Sequence, residues 1–168
     1  MKLSIVFSSL AAFAGIASAT IFQNGQERIT NYPDTKIDPK KYDFKSYSPG
    51  SSEISYKGRW DSKFISWFSA PGLKFAFTGK VVAISFGKYT IDTTLVAYRI
   101  SGQDWQFTNV TSGATHLLVS PDTPSVDLTA PISPKTFELR VTNWEYGVQI
   151  AKVCECLYVQ EYQIKVLR

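Results

Sequence analysis

The sequence predicts an all-β domain, a sandwich or barrel of short antiparallel strands. Three observations lead there. From Glu53 onward, apolar and polar residues alternate in one short run after another, the period-two pattern of half-buried strands. Turn signals such as Ser48-Pro49-Gly50, Thr78-Gly79-Lys80 and Ser101-Gly102 separate the runs, and many short strands joined by such turns form a sandwich or barrel. Outside the N-terminal stretch, no window places apolar residues at the i, i+3, i+4, i+7 spacing of a helix.

The elements follow in chain order. Met1-Lys2 is a basic start, Leu3 to Ile16 is mostly apolar, and Ala17-Ser18-Ala19 matches the A-x-A pattern cut by signal peptidase. Residues 1–19 therefore read as a secretory signal peptide. The apolar part falls short of the roughly 20 residues a membrane span needs, so the protein is expected outside the cell, with no membrane as partner. Residues 20–52 are polar and broken by Pro33, Pro39 and Pro49, and read as an N-terminal arm with one short strand. Residues 53–168 form the sandwich domain.

Within it, Ile54, Tyr56 and Trp60 share one face of a strand. Leu73 to Phe77 alternates, Thr78-Gly79-Lys80 turns the chain, and Val81 to Phe86 follows, which reads as a hairpin. Thr94 to Ile100, Trp105 to Val110 and His116 to Ser120 are further strands. Residues 121–134 hold four prolines and form a loop, because proline cannot donate to a ladder. Phe137, Leu139 and Val141 alternate with Glu138, Arg140 and Thr142. Gly147 to Val153 and Leu157 to Leu167 complete the chain.

Charge and cysteine content exclude several classes. The formal net charge is +4, but only Lys40 and Lys41 are adjacent. Without a basic stripe interleaved with aromatics, a solvated mixed surface is expected and nucleic acid is not. Cys154 and Cys156 are the two cysteines. On a strand, i and i+2 share a face about 7 Å apart, by the rise per residue, beyond the usual separation of a disulfide. A strained local bridge, two buried thiols and pairing to another chain remain open. Two cysteines and one histidine fall short of the four ligands of a structural zinc site, so no metal and no cofactor are expected.

Nucleophilic catalysis has no visible footing. There is no G-x-S-x-G and no Gly-Asp-Ser triplet. The one histidine, His116, lies inside a strand pattern, and a triad needs oriented partners. It reads as structural, and no catalytic residue is assigned. Asp61, Asp92, Asp104 and Glu145 stand in no paired-carboxylate signature. The four tryptophans and nine tyrosines are more suggestive. Large aromatics mostly fill cores, but an exposed ring stacks on the C–H face of a sugar while acids and amides take its hydroxyls. Trp105 follows the turn Ser101-Gly102-Gln103-Asp104 and is the tryptophan expected to be most exposed. Trp144 stands at a strand end. Arg59, Asp61, Trp67, Asp104, Trp105 and Trp144 are the candidate glycan contacts. Asn109-Val110-Thr111 is a glycosylation sequon.

Two stretches resemble a known family. One is Lys57-Gly58-Arg59-Trp60-Asp61 with Trp67-Phe68-Ser69-Ala70-Pro71-Gly72-Leu73-Lys74-Phe75 and Phe77-Thr78-Gly79. The other is Leu139 to Ile150, which contains Val141-Thr142-Asn143-Trp144. Together they look like the N-terminal domain of fungal proteins similar to carbohydrate esterase family two, over about residues 53–168. The resemblance implies an antiparallel β-sandwich of jelly-roll type ahead of an SGNH (GDSL-type) hydrolase domain. That domain removes acetyl groups from plant cell-wall polysaccharides such as xylan, using a serine and a histidine. No position here matches either residue, and the chain ends at Arg168, where the family's catalytic block would open. The expectation is a non-catalytic accessory sandwich of a secreted SGNH-type carbohydrate acetylesterase, partnered by the missing hydrolase domain and by polysaccharide. The alternative is a stand-alone secreted glycan-binding protein.

Overall fold

The computed structural model describes residues 22–23, 26–27, 32–68, 70–123, 134–142 and 147–156. The signal-peptide reading, the strand read over Leu157 to Leu167, Trp144 and most of the proline-rich loop lie outside them. Two short strands, β1 (Phe22–Gln23) and β2 (Gln26–Glu27), pair antiparallel with each other. The unit from Tyr32 onward is the one of interest.

That unit is made almost entirely of strands: β3 (Lys36–Ile37), β4 (Lys45–Tyr47), β5 (Ile54–Lys57), β6 (Ile65–Ser66), β7 (Gly72–Phe77), β8 (Val81–Phe86), β9 (Thr94–Ile100), β10 (Gln106–Val110), β11 (Thr115–Val119), β12 (Lys135–Val141) and β13 (Val148–Cys156). A single 3₁₀ turn, Pro39–Lys41, stands between β3 and β4, with the Asp38 carboxylate accepting from the Lys40 amide. Five strands form one sheet in the order β10-β9-β12-β7-β5, and six form another, β3-β11-β8-β13-β4 with β6 on β13. Every pairing is antiparallel. No helix among the described residues is long and apolar enough to cross a membrane.

One core joins the sheets. Leu73, Phe75, Phe77, Phe137, Leu139 and Val141 from the five-stranded sheet meet Val82, Ile84, Phe86, Leu118, Ile150 and Val153 from the other. Phe137 lies between Phe75, 5.0 Å away by ring centroid, and Tyr98 at 6.2 Å. Alternation therefore reports the sheet faces faithfully: on β12 the odd positions 137, 139 and 141 are buried, and the even ones lie on the outer face.

Four sequence expectations are corrected. β7 and β8 do not form a hairpin. They lie in opposite sheets, and Thr78-Gly79-Lys80 is a corner between them, fixed by the Lys80 amide donating to the Cys156 carbonyl at 3.0 Å. Period-two patterning and a turn signal are common to a hairpin and a sheet-crossing corner, so the sequence does not separate them. The hairpin is instead β9–β10, closed through residues 101–105. The strand read over Glu53 to Trp60 stops at Lys57, because Gly58 takes a φ of +87° that a strand does not use. Trp60 still packs edge-on to Tyr56. The arm, expected to hold one short strand, contains four among its described residues, and β3 and β4 edge the six-stranded sheet on its two sides. Two- and three-residue edge strands are too short to show a period. The remaining correction concerns which tryptophan is exposed.

Of the alternatives for the cysteines, the structure has two buried thiols. They share a face of β13, and the Cys154 thiol lies 3.6 Å from the Ser46 hydroxyl. Burial pushes its pKa up, against the Ser46 bond and the Lys152 charge.

Candidate functional site

The outer face of the five-stranded sheet gathers charge and one large ring into two cross-strand rows. Strand register sets the rows. Ser55 faces Lys74, Lys74 faces Glu138 and Glu138 faces Arg99. Beside them, Lys57 faces Gly72, Gly72 faces Arg140, Arg140 faces Ala97 and Ala97 faces Phe107. Each residue is here because its neighbours in sequence are apolar and turn inward, as Phe137 and Leu139 do around Glu138.

Glu138 holds the centre. Its Oε2 accepts from Arg99 Nε and Nη2 at 2.9 and 2.7 Å, and its Oε1 accepts from Arg140 Nε and Nη2 at 3.2 and 3.0 Å. Burial opposes ionisation of this carboxyl, but the two guanidiniums outweigh it and hold the pKa below the usual carboxylate range. Both guanidiniums lie over the Trp105 ring, Arg99 at 4.4 Å and Arg140 at 5.8 Å from its centroid. Arginine stacks on an indole in this way through its planar cation. The paired acid thus fixes two cations, and they in turn fix the ring.

Next to this cluster lies a trough of about 410 Å³, lined by Ser55, Lys57, Gly72, Lys74, Glu138 and Arg140 among others. That volume falls within the range of small-ligand clefts, roughly 300–1,000 Å³. Gly72 permits the close strand approach on this side: a Cβ there would stand 2.6 Å from the Leu139 carbonyl oxygen, too close for any side chain.

The sequence-predicted contacts fall in two places. Asp104 and Trp105 belong to the outer face, Asp104 exposed and Trp105 half-buried along Arg99. The remaining correction follows: among the described tryptophans Trp67, 53% exposed, is the open one, because the turn that presents Trp105 also brings it onto an arginine. Trp67 sits against Gly147, next to exposed Phe68, whose ring lies 5.0 Å from the Arg59 guanidinium. Asp61 builds the local turn, accepting from the Lys63 and Ile65 amides at 2.8 Å each. Arg59, Asp61 and Trp67 therefore share the β5–β7 connection, and Trp105 stands on the opposite edge of the sheet. Trp144 lies outside the described residues. Asn109 is half-buried on β10, an edge strand. Sequence reasoning missed Lys57, Lys74, Arg99, Glu138 and Arg140. Alternation showed them facing outward, but only strand order makes them neighbours.

His116 is placed by the fold as a structural residue. It is fully buried. Its Nε2 accepts from the Thr111 amide at 3.0 Å, so Nδ1 bears the proton and donates to Thr35 Oγ1 at 2.9 Å. Thr35 continues to Thr108 at 3.1 Å, and Thr108 donates to the Pro33 carbonyl at 3.1 Å. The chain of bonds ties residues 33–35 to the sandwich. Desolvation lowers the His116 pKa to about 4; the Asp34 charge opposes it and the Lys36 charge adds to it, both to a smaller extent. Among the described residues, no group of three or more acids, histidines or cysteines is arranged to hold a metal ion.

No family model and no curated protein matches the sequence. Solved structures do. A family two carbohydrate esterase from Cellvibrio japonicus matches with a TM-score of 0.51 and 11% identity, over 67% of this chain and 33% of that one. An acetyl xylan esterase, Est2A, from the rumen bacterium Butyrivibrio proteoclasticus matches with a TM-score of 0.52 and 16% identity, over 70% of this chain and 33% of its own. The match spans about a third of the length of these enzymes. At such identities the likeness is one of fold: this chain shares an all-β sandwich with part of known carbohydrate esterases.

Proposed function

We propose that this chain is the accessory sandwich of a secreted SGNH-type carbohydrate esterase, and that it holds polysaccharide on the outer face of its five-stranded sheet. The observation that carries the reading is the Trp105 ring, set by Arg99 and Arg140 beside an open trough. A sugar ring stacks on the indole, and its hydroxyls meet guanidinium and carboxylate groups that are already oriented. The sandwich is of jelly-roll type in this reading, since the chain crosses between sheets at β7–β8, β8–β9, β10–β11, β11–β12 and β12–β13. Ester cleavage then belongs to a hydrolase domain beyond the matched third. The engagement of both nitrogens of the chain's one histidine inside the fold supports that division. The polysaccharide is one of plant cell walls, the protein is secreted, and Asn109 carries a glycan.

The test is titration of the chain with acetylated xylan, followed by tryptophan fluorescence. Binding that weakens about tenfold or more in Trp105→Ala, a loss of about 1.4 kcal/mol, supports the reading. Equal binding by the variant overturns it. The same face would serve a free-standing glycan-binding protein, and the intact mass of the native secreted product separates the two.

A further inference from the structure

We infer that the trough takes a polysaccharide bearing carboxylate groups, a uronic-acid-substituted chain, with the acid held between Lys57, Lys74 and Arg140. This rests on the reading of the outer face as a glycan surface and names the class of glycan.

Charge is the first ground. The two rows bring four cations, Lys57, Lys74, Arg99 and Arg140, around the single carboxylate of Glu138. Glu138 is already engaged by both arginines through both oxygens. Lys57 and Lys74 are exposed and make no ion pair among the described residues. Like charges on neighbouring strands repel, and with Asp104 as the other acid on this face among the described residues, a surplus of positive charge remains beside the trough. The whole chain is only +4, so the surplus is local rather than a general basicity.

Shape is the second ground. Lys57, Gly72 and Lys74 line the trough together with Arg140. A carboxylate there accepts charge-assisted hydrogen bonds from ammonium and guanidinium donors, which are stronger than the bonds a neutral hydroxyl makes. Length is the third ground. Trp105 leads into β10 and Lys57 lies on β5, at the two edges of the sheet. Four inter-strand steps of about 4.8 Å separate these two edge strands, roughly 19 Å in all, and the Trp105 ring reaches inward over Arg99 and Arg140. A small anion would use one end only. An extended sugar chain uses both, a ring on Trp105 and an acid at the lysines.

The experiment is calorimetric titration of the chain with a glucuronic-acid-substituted xylo-oligosaccharide, with the same oligosaccharide after reduction of its carboxyl to an alcohol, and with a single-stranded oligonucleotide. The acid form is expected to bind about tenfold tighter than the reduced form at low salt, with the margin shrinking as salt screens the exposed charges. Lys57→Met/Lys74→Met, at exposed positions that keep their aliphatic stems, is expected to abolish the margin. Trp105→Ala is expected to weaken both sugars alike. Equal affinity for acid and reduced sugars overturns the inference and leaves the glycan reading standing. Binding of neither sugar overturns both. A margin that survives in the double lysine variant overturns the placement of the acid. An oligonucleotide that binds tighter than the acid sugar overturns the assignment to a polysaccharide.

Discussion

Lowering the pH should loosen this domain through His116. The ring is fully buried, and its bonds require the neutral form: Nε2 accepts from the Thr111 amide, and Nδ1–H donates to Thr35. In the unfolded chain it titrates near 6.5, and in the fold at about 4. Between those values the unfolded chain binds a proton that the native one refuses, so stability falls as pH falls. The contribution is fully present above pH 6.5 and is lost on the way down to pH 4. At about 1.4 kcal/mol per pH unit, the loss from pH 7 to pH 4 is about 3 kcal/mol. Urea unfolding at several pH values, in the native chain and in His116→Gln, isolates it. Glutamine offers a donor and an acceptor but does not titrate, and other acid-sensitive groups, Glu138 included, cancel in the difference. The stability gap between the two proteins should shrink by about 3 kcal/mol between pH 7 and pH 4. A gap that stays constant to within about 0.5 kcal/mol refutes the reasoning.

Two further outcomes are expected. Cys154 and Cys156 are buried thiols, so a thiol reagent should leave the native protein unmodified and label two thiols after unfolding in urea; rapid native labelling of either would contradict their burial. Phe137→Ala removes the ring between Phe75 and Tyr98 and should lower the unfolding free energy by 3–5 kcal/mol, the usual cost of emptying an aromatic core site, so a loss under about 1 kcal/mol would place the core elsewhere.

The face along the sheet shows how much of the site is legible beforehand. Glu138 and Arg140 alternate with Phe137, Leu139 and Val141, and Arg99 stands between Tyr98 and Ile100, so their outward direction is readable. That Glu138 lies between Arg99 and Lys74 is not, because β9 and β7 flank β12 only through strand order. Trp105 was readable as a turn-presented aromatic. Its stacking on Arg99 was not, and that contact is what makes Trp67 the more open ring.

The sequence by itself determined the all-β class, the alternating faces of β7 and β12, and a histidine without a catalytic signature. These follow from local rules: side-chain period and turn chemistry. Only the tertiary structure decided that Thr78-Gly79-Lys80 crosses between sheets, that the arm edges the larger sheet, and that Lys57, Lys74, Arg99, Glu138 and Arg140 share one surface. Pairing between strands distant in sequence is set by which register buries one common core, and that depends on every strand at once.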